Sequence, residues 1–201
     1  MARRRGLWWS VRVDLLGGGP CGELWPRPGR VLAVDPRHTL HRLGEAIDDA
    51  FARWDRNHLH EFEFPKRSVR AMEHRFIDDA DEEGLLDADT TALGDVADFG
   101  EEFAYVFDLG DMWRHRCTVA PRAIDPMKEL GILPDGPLPY WGWGSIPDQY
   151  GRQWDGDDGQ SPVPAPETDP WPWAGAPDPV MASFHVPGQY TLLRDLPPTP
   201  R

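Results

Sequence analysis

The sequence predicts an α+β fold: a small, mostly antiparallel sheet with one principal amphipathic helix packed on it, followed by an irregular C-terminal arm rich in proline and tryptophan. Three observations carry this expectation. Short runs that alternate apolar and polar residues recur through the first 120 positions. One stretch, from Leu40 to Trp54, instead repeats its apolar residues at helical spacing. From Pro134 onward periodicity disappears, and that last third holds fifteen of the 22 prolines and five of the ten tryptophans.

A chain of 201 residues has room for one domain and a tail. The division expected is a basic N-terminal arm over residues 1–9, an α+β domain over residues 10–155, and a proline-rich, tryptophan-containing tail over residues 156–201. Ser10–Leu16 (SVRVDLL) alternates as a half-buried strand should, and GGGP breaks it. Arg30–Val34 is a second short strand. Thr39 suits a helix N-cap, and Leu40, Leu43, Ile47, Ala50, Phe51 and Trp54 then share one face, leaving Asp48, Asp49 and Arg53 toward water. Gly44 falls inside this helix at a cost of roughly 1 kcal/mol relative to alanine.

His58–Phe64 (HLHEFEF) reads as a strand with His58, His60, Phe62 and Phe64 on one face. Residues 65–100 are acidic and read as a solvated loop, with a helical turn near Thr91–Val96. EEFAYVFDLGDMWRHRCTVAP reads as a hairpin with a three-residue loop, Asp108 to Gly110, the glycine taking the left-handed position. That register pairs Phe107 with Asp111, Tyr105 with Trp113 and Phe103 with His115. It gathers Phe103, Tyr105, Phe107, Trp113, His115, Cys117 and Val119 on one face; a slip of one residue would turn half of them outward. In the arm, Trp141 and Trp143 are expected to cover an edge or face of the sheet, and Trp171 and Trp173 to offer a docking peptide to a protein partner.

Two of these motifs together, TLHRLGEAIDDAFARWDRNHLHEFEF and FAYVFDLGDMWRH, resemble the plasmid pRiA4b ORF-3-like family. The family pattern is a helix ending in tryptophan, an HLH-x-F strand and a Y-x-F/Y-D-x-G-D-x-W-x-H hairpin. Trp54, His58, Leu59, His60, Phe62, Tyr105, Phe107, Asp108, Gly110, Asp111, Trp113 and His115 match it. The resemblance covers roughly residues 10–155. It departs at Gly44, where the family usually has histidine, at LWPRPGR, and at SIPDQYGRQWDGDDG, which replaces a cysteine-containing region. It implies a compact α+β domain without established chemistry, an accessory of mobile elements.

The candidate site is a polar pocket of His58, His60, Tyr105, Asp108, Asp111, Trp113 and His115. Two histidines at i and i+2 on a strand can address one ion, with a third from a neighbouring strand. If a divalent metal were held, His58, His60 and His115 would be its ligands; no cofactor is assigned. The commoner arrangement is metal-free, with Asp108 and Asp111 bonding turn amides above a floor of Trp113 and Tyr105. No GxGxxG, GxxxxGK[ST], GxSxG or HExxH motif is present.

Charge narrows the partners. Residues 1–43 carry eight arginines against three acids, and residues 44–111 carry six basic against twenty acidic residues, within a net charge of −13. Such a surface repels phosphate backbones, leaving Arg3, Arg4 and Arg5 as the one weak pointer to nucleic acid. No apolar run reaches membrane-span length, and Cys21 and Cys117 fit neither a disulfide framework nor a zinc site, so a cytoplasmic address is expected. The expected function is a non-enzymatic binding or interaction domain; the alternative is a metal-dependent hydrolase or nuclease using the histidine–aspartate patch.

Overall fold

The computed structural model describes residues 7–74, 77 and 84–151. The arginines of the N-terminal arm, the centre of the acidic segment and the tail from residue 152, with Trp154, Trp171 and Trp173, lie outside the described residues.

The first strands and the helix form where alternation and spacing require. β1 (Trp9–Gly18) pairs with a short β2 (Gly22–Glu23) and with β3 (Gly29–Val34). Thr39 caps α1 (Leu40–Ala50), its hydroxyl accepting from the Arg42 amide. Leu40, Leu43, Ile47, Ala50 and Phe51 are buried. The stripe ends there, because Ala52 takes a positive φ and turns the chain. Trp54 is therefore half exposed, not on the helix face.

Two polar residues expected to face water are inside. Asp48 is buried and accepts the Tyr105 hydroxyl at 2.9 Å. Arg53 is 1% exposed, its guanidinium stacked 3.8 Å above the Trp113 ring. Helical spacing does place Asp48 beside the apolar stripe, and a distant hydroxyl makes its burial tolerable.

β4 (His60–Phe64) starts two residues later than the alternation suggests, and His58 lies in a bend before it. The acidic segment is more structured than expected. It contributes β5 (Val69–Met72), β6 (Leu85–Asp87) and α2 (Leu93–Val96), the last at the expected helical turn. β7 (Glu102–Phe107) and β8 (Trp113–Val119) form the hairpin; α3 (Pro126–Glu129) and β9 (Leu138–Trp143) follow.

The sheet is accordingly not small. Among the described residues nine strands run β6-β5-β4-β7-β8-β1-β3-β9, with β2 on β1, all antiparallel except the parallel pair β5–β6. The difference arises at both edges: β5 and β6 come from the acidic segment, and β9 brings Trp141 and Trp143 onto β3. β5 and β6 are too short to show alternation, and proline and glycine interrupt it in β9.

The hairpin register also differs. Phe107 pairs with Trp113, Tyr105 with His115 and Phe103 with Cys117, across a five-residue loop. Asp108 and Met112, not Gly110, take positive φ. The Asp108 carboxylate accepts from the amides of Gly110 and Asp111, which stabilises the longer turn. Because the shift is two residues, every side chain keeps its face. Phe103, Tyr105, Phe107, Trp113, His115, Cys117 and Val119 are all buried beneath α1. A smaller cluster of Trp8, Ala33, Leu130 and Leu138 lies on the opposite face. No helix among the described residues is long and apolar enough to cross a membrane.

Candidate binding site

Beyond the last turn of α1, the chain from Arg53 to His58 runs along one end of the sheet. There it meets the β7–β8 loop and the segment from Ile146 to Gly151. Gln149, fully buried, fastens the first to the last: its side-chain oxygen accepts from the amides of Trp54 and Asp55 at 3.1 Å, and its amide donates to the Asp55 carbonyl at 3.1 Å. The Trp54 indole donates to Asp148 at 3.2 Å and stands edge-on to Tyr150 with centroids 5.3 Å apart.

His58 sits at the centre of this meeting. Its Nδ1 is 3.0 Å from Asp108 Oδ2, and its Nε2 is 2.9 Å from the Tyr150 hydroxyl. Tyr150 gives its own proton to Asp55 Oδ2 at 2.9 Å. Partial burial, the bond to Asp55 and the charges of Asp55, Asp108 and Asp111 push the Tyr150 phenol up to about 12. The Asn57 amide and the Tyr150 hydroxyl hold Asp55 below the usual carboxylate range. The rim is thus acidic, and its two aromatic rings are open to solvent: Trp54 is 52% and Tyr150 39% exposed.

Below the rim the environment is dry. His115 is fully buried, its Nδ1 donating to the Tyr105 carbonyl at 3.3 Å and its ring 4.8 Å from Phe51. Burial pushes the imidazole down to about 3. Arg53 is a cation within this layer; burial lowers its guanidinium to about 10, leaving it charged at neutral pH. Its three nitrogens, the Trp113 Nε1 and the His115 Nε2 make no hydrogen bond among the described residues. Asp48, under the same desolvation, is raised to about 7.

The seven residues read from the sequence therefore fall into three groups. His58, Asp108 and Asp111 gather at the rim. Tyr105, Trp113 and His115 form the buried floor. His60, though its ring is 5.7 Å from Tyr105, directs its Nε2 toward Glu73 Oε1 at 3.4 Å. His58, His60 and His115 address separate partners and do not converge on one point. Asp55, Gln149 and Tyr150 are rim residues that sequence patterns did not single out, and Trp54, expected on the helix face, belongs to the rim instead. Gln149 and Tyr150 lie in an aperiodic segment, and only the aromatic density of WGWGSIPDQYG hints at packing there.

Fold and site together define an α+β domain built on one broad sheet, with a polar site at the sheet end where His58, just ahead of β4, meets the D-x-G-D loop of the hairpin. The chain belongs to the plasmid pRiA4b ORF-3-like protein family, whose model matches residues 12–135. No curated protein matches it. Among solved structures it is similar to a protein of unknown function from Methanosarcina mazei Go1, at 23% identity, covering 67% of this chain and 68% of that one, with a TM-score of 0.49.

Proposed function

We propose that this chain is a non-enzymatic interaction domain that captures a positively charged side chain of a protein partner at the Trp54–Tyr150 patch. One observation carries the reading: two solvent-open aromatic rings stand edge-on within a ring of Asp55, Asp108, Asp111 and Asp148. An aromatic face attracts a cation through its quadrupole, and adjacent carboxylates supply charge and hydrogen-bond acceptors. The net charge of −13 steers basic partners toward the molecule and nucleic acid away from it.

Calorimetric titration with an arginine-rich peptide and a glutamate-rich peptide of equal length tests the reading. The basic peptide should bind and weaken with added salt, while the acidic one should not bind. Trp54→Ala should weaken binding by about tenfold, equivalent to about 1.4 kcal/mol. Equal affinity of parent and Trp54→Ala would reduce the attraction to general charge and sink the proposal.

The alternative, a metal-dependent hydrolase or nuclease built on His58, His60 and His115, has less support, since those three rings address different partners. A role as an accessory of a mobile element is supported by the plasmid-derived family name alone. Two unbridged thiols, buried Cys117 and half-buried Cys21, fit a reducing, cytoplasmic setting.

A further inference from the structure

A second cluster lies away from the acidic rim, where the start of α1 passes over β4 and β5. We propose that His41, His60 and Glu73 form a binding site for a divalent first-row transition cation of the zinc class, with Asp89 in reach of the fourth position. One ligand atom from each of the three residues lies within 4.8 Å of the others. Glu73 Oε1 is 3.4 Å from His60 Nε2 and 3.7 Å from His41 Nδ1, and Asp89 Oδ1 is 3.5 Å from the same His41 nitrogen. Ligands bound at about 2.0–2.1 Å in a tetrahedron stand roughly 3.4 Å apart, so these separations already approximate the edges of a coordination shell.

The scaffold holds the ligands from four directions. The His41 amide donates to the Ala88 carbonyl and the Leu40 amide to the Thr91 carbonyl, each at 2.9 Å, which ties the helix start to the loop bearing Asp89. His60 opens β4, and Glu73 follows directly on β5, where Met72 pairs with Glu61. Asp89 is oriented by the His74 amide at 3.1 Å. One helical turn beyond His41, Glu45 Oε1 stands 3.7 Å from its Nε2, where an outer carboxylate orients a metal-bound imidazole.

Charge and access agree with this assignment. Two imidazoles and two carboxylates carry a formal −2 that a dication offsets. The His60 and Glu73 side chains are 7% and 9% exposed, whereas those of His41 and Asp89 are 32% and 41% exposed. The ion would enter from the His41 side, and Asp89 or a water could complete its shell. Mixed nitrogen and oxygen donors favour zinc, cobalt or nickel over calcium or magnesium.

Cobalt(II) titration of the untagged, chelator-stripped full chain tests the proposal. One equivalent should produce the visible absorption of a tetrahedral nitrogen–oxygen site, and zinc should displace it and raise Tm. His41→Ala, on the more exposed ligand, should weaken cobalt binding at least tenfold while matching the parent's melting in chelator. Glu73→Gln should lower affinity in the same way, and His58→Ala and Trp54→Ala should leave it unchanged, which separates this site from the aromatic rim. Absence of the absorption in the parent, or undiminished binding in both ligand variants, would overturn the assignment.

Discussion

Asp48 and His115 are buried with opposite proton preferences. Burial raises the Asp48 carboxyl to about 7 and lowers the His115 imidazole to about 3. The raised acid contributes stability that is full below its ordinary value of 3.8 and is lost as pH climbs toward 7. The depressed imidazole contributes stability that is full above 6.5 and is lost as pH falls toward 3. Between about pH 4 and 6.5 the folded chain holds one proton more at Asp48 and one fewer at His115 than the unfolded chain, so the two dependences cancel. Asp48→Asn removes one side of that balance. Its stability, followed by urea unfolding across that window, should rise with pH relative to the parent by up to about 1.4 kcal/mol per unit. Parallel curves for parent and variant would contradict the assignment. His115 was legible as an inward residue because strand parity alone fixes its face. Asp48 and Arg53 were not, because the hydroxyl and indole that receive them lie more than fifty residues along the chain.

At the scale of elements, α1 lies on the sheet with Gly44 facing Tyr105 and Phe62. A Cβ built there would lie 3.4 Å from Tyr105 and 3.5 Å from Phe62, an ordinary contact distance. Gly44→Ala should therefore stabilise the protein by about 0.5–1 kcal/mol through helix propensity. Gly44→Leu has no room without moving the Tyr105 ring, and should cost about 1–3 kcal/mol. Thermal melting of both variants checks the pair; destabilisation by alanine would mean that the helix sits tighter on the sheet. The principal helix, β1, β3 and the hairpin were readable because their periodicities are long enough to repeat. The two-residue change in hairpin register leaves no trace in the sequence because it preserves that periodicity: Tyr105 faces α1 whether its partner is Trp113 or His115. β5 and β6 are four and three residues long, too short for any period to show.

For the molecule as a whole, the two proposed sites use different parts of one scaffold. The acidic rim depends on the Gln149 and Tyr150 segment, which lies beyond the residues matched by the family and meets Trp54 and His58 through tertiary packing. The rim was therefore visible in its H-x-H and D-x-G-D motifs and in Trp54, though that ring was expected on the helix face, and it was not visible in Gln149 and Tyr150. The proposed metal site joins α1 to β4 and β5 across an acidic stretch whose composition suggested solvation alone. The claim on which the functional reading turns is that the exposed Trp54 ring meets the cationic partner. Titration of an arginine-rich peptide into the nitrogen-15-labelled chain, observed at the tryptophan indole resonances, addresses it most directly. The Trp54 indole signal should move progressively while those of buried Trp8 and Trp113 stay in place; an unmoved Trp54 signal at saturating peptide would contradict the account.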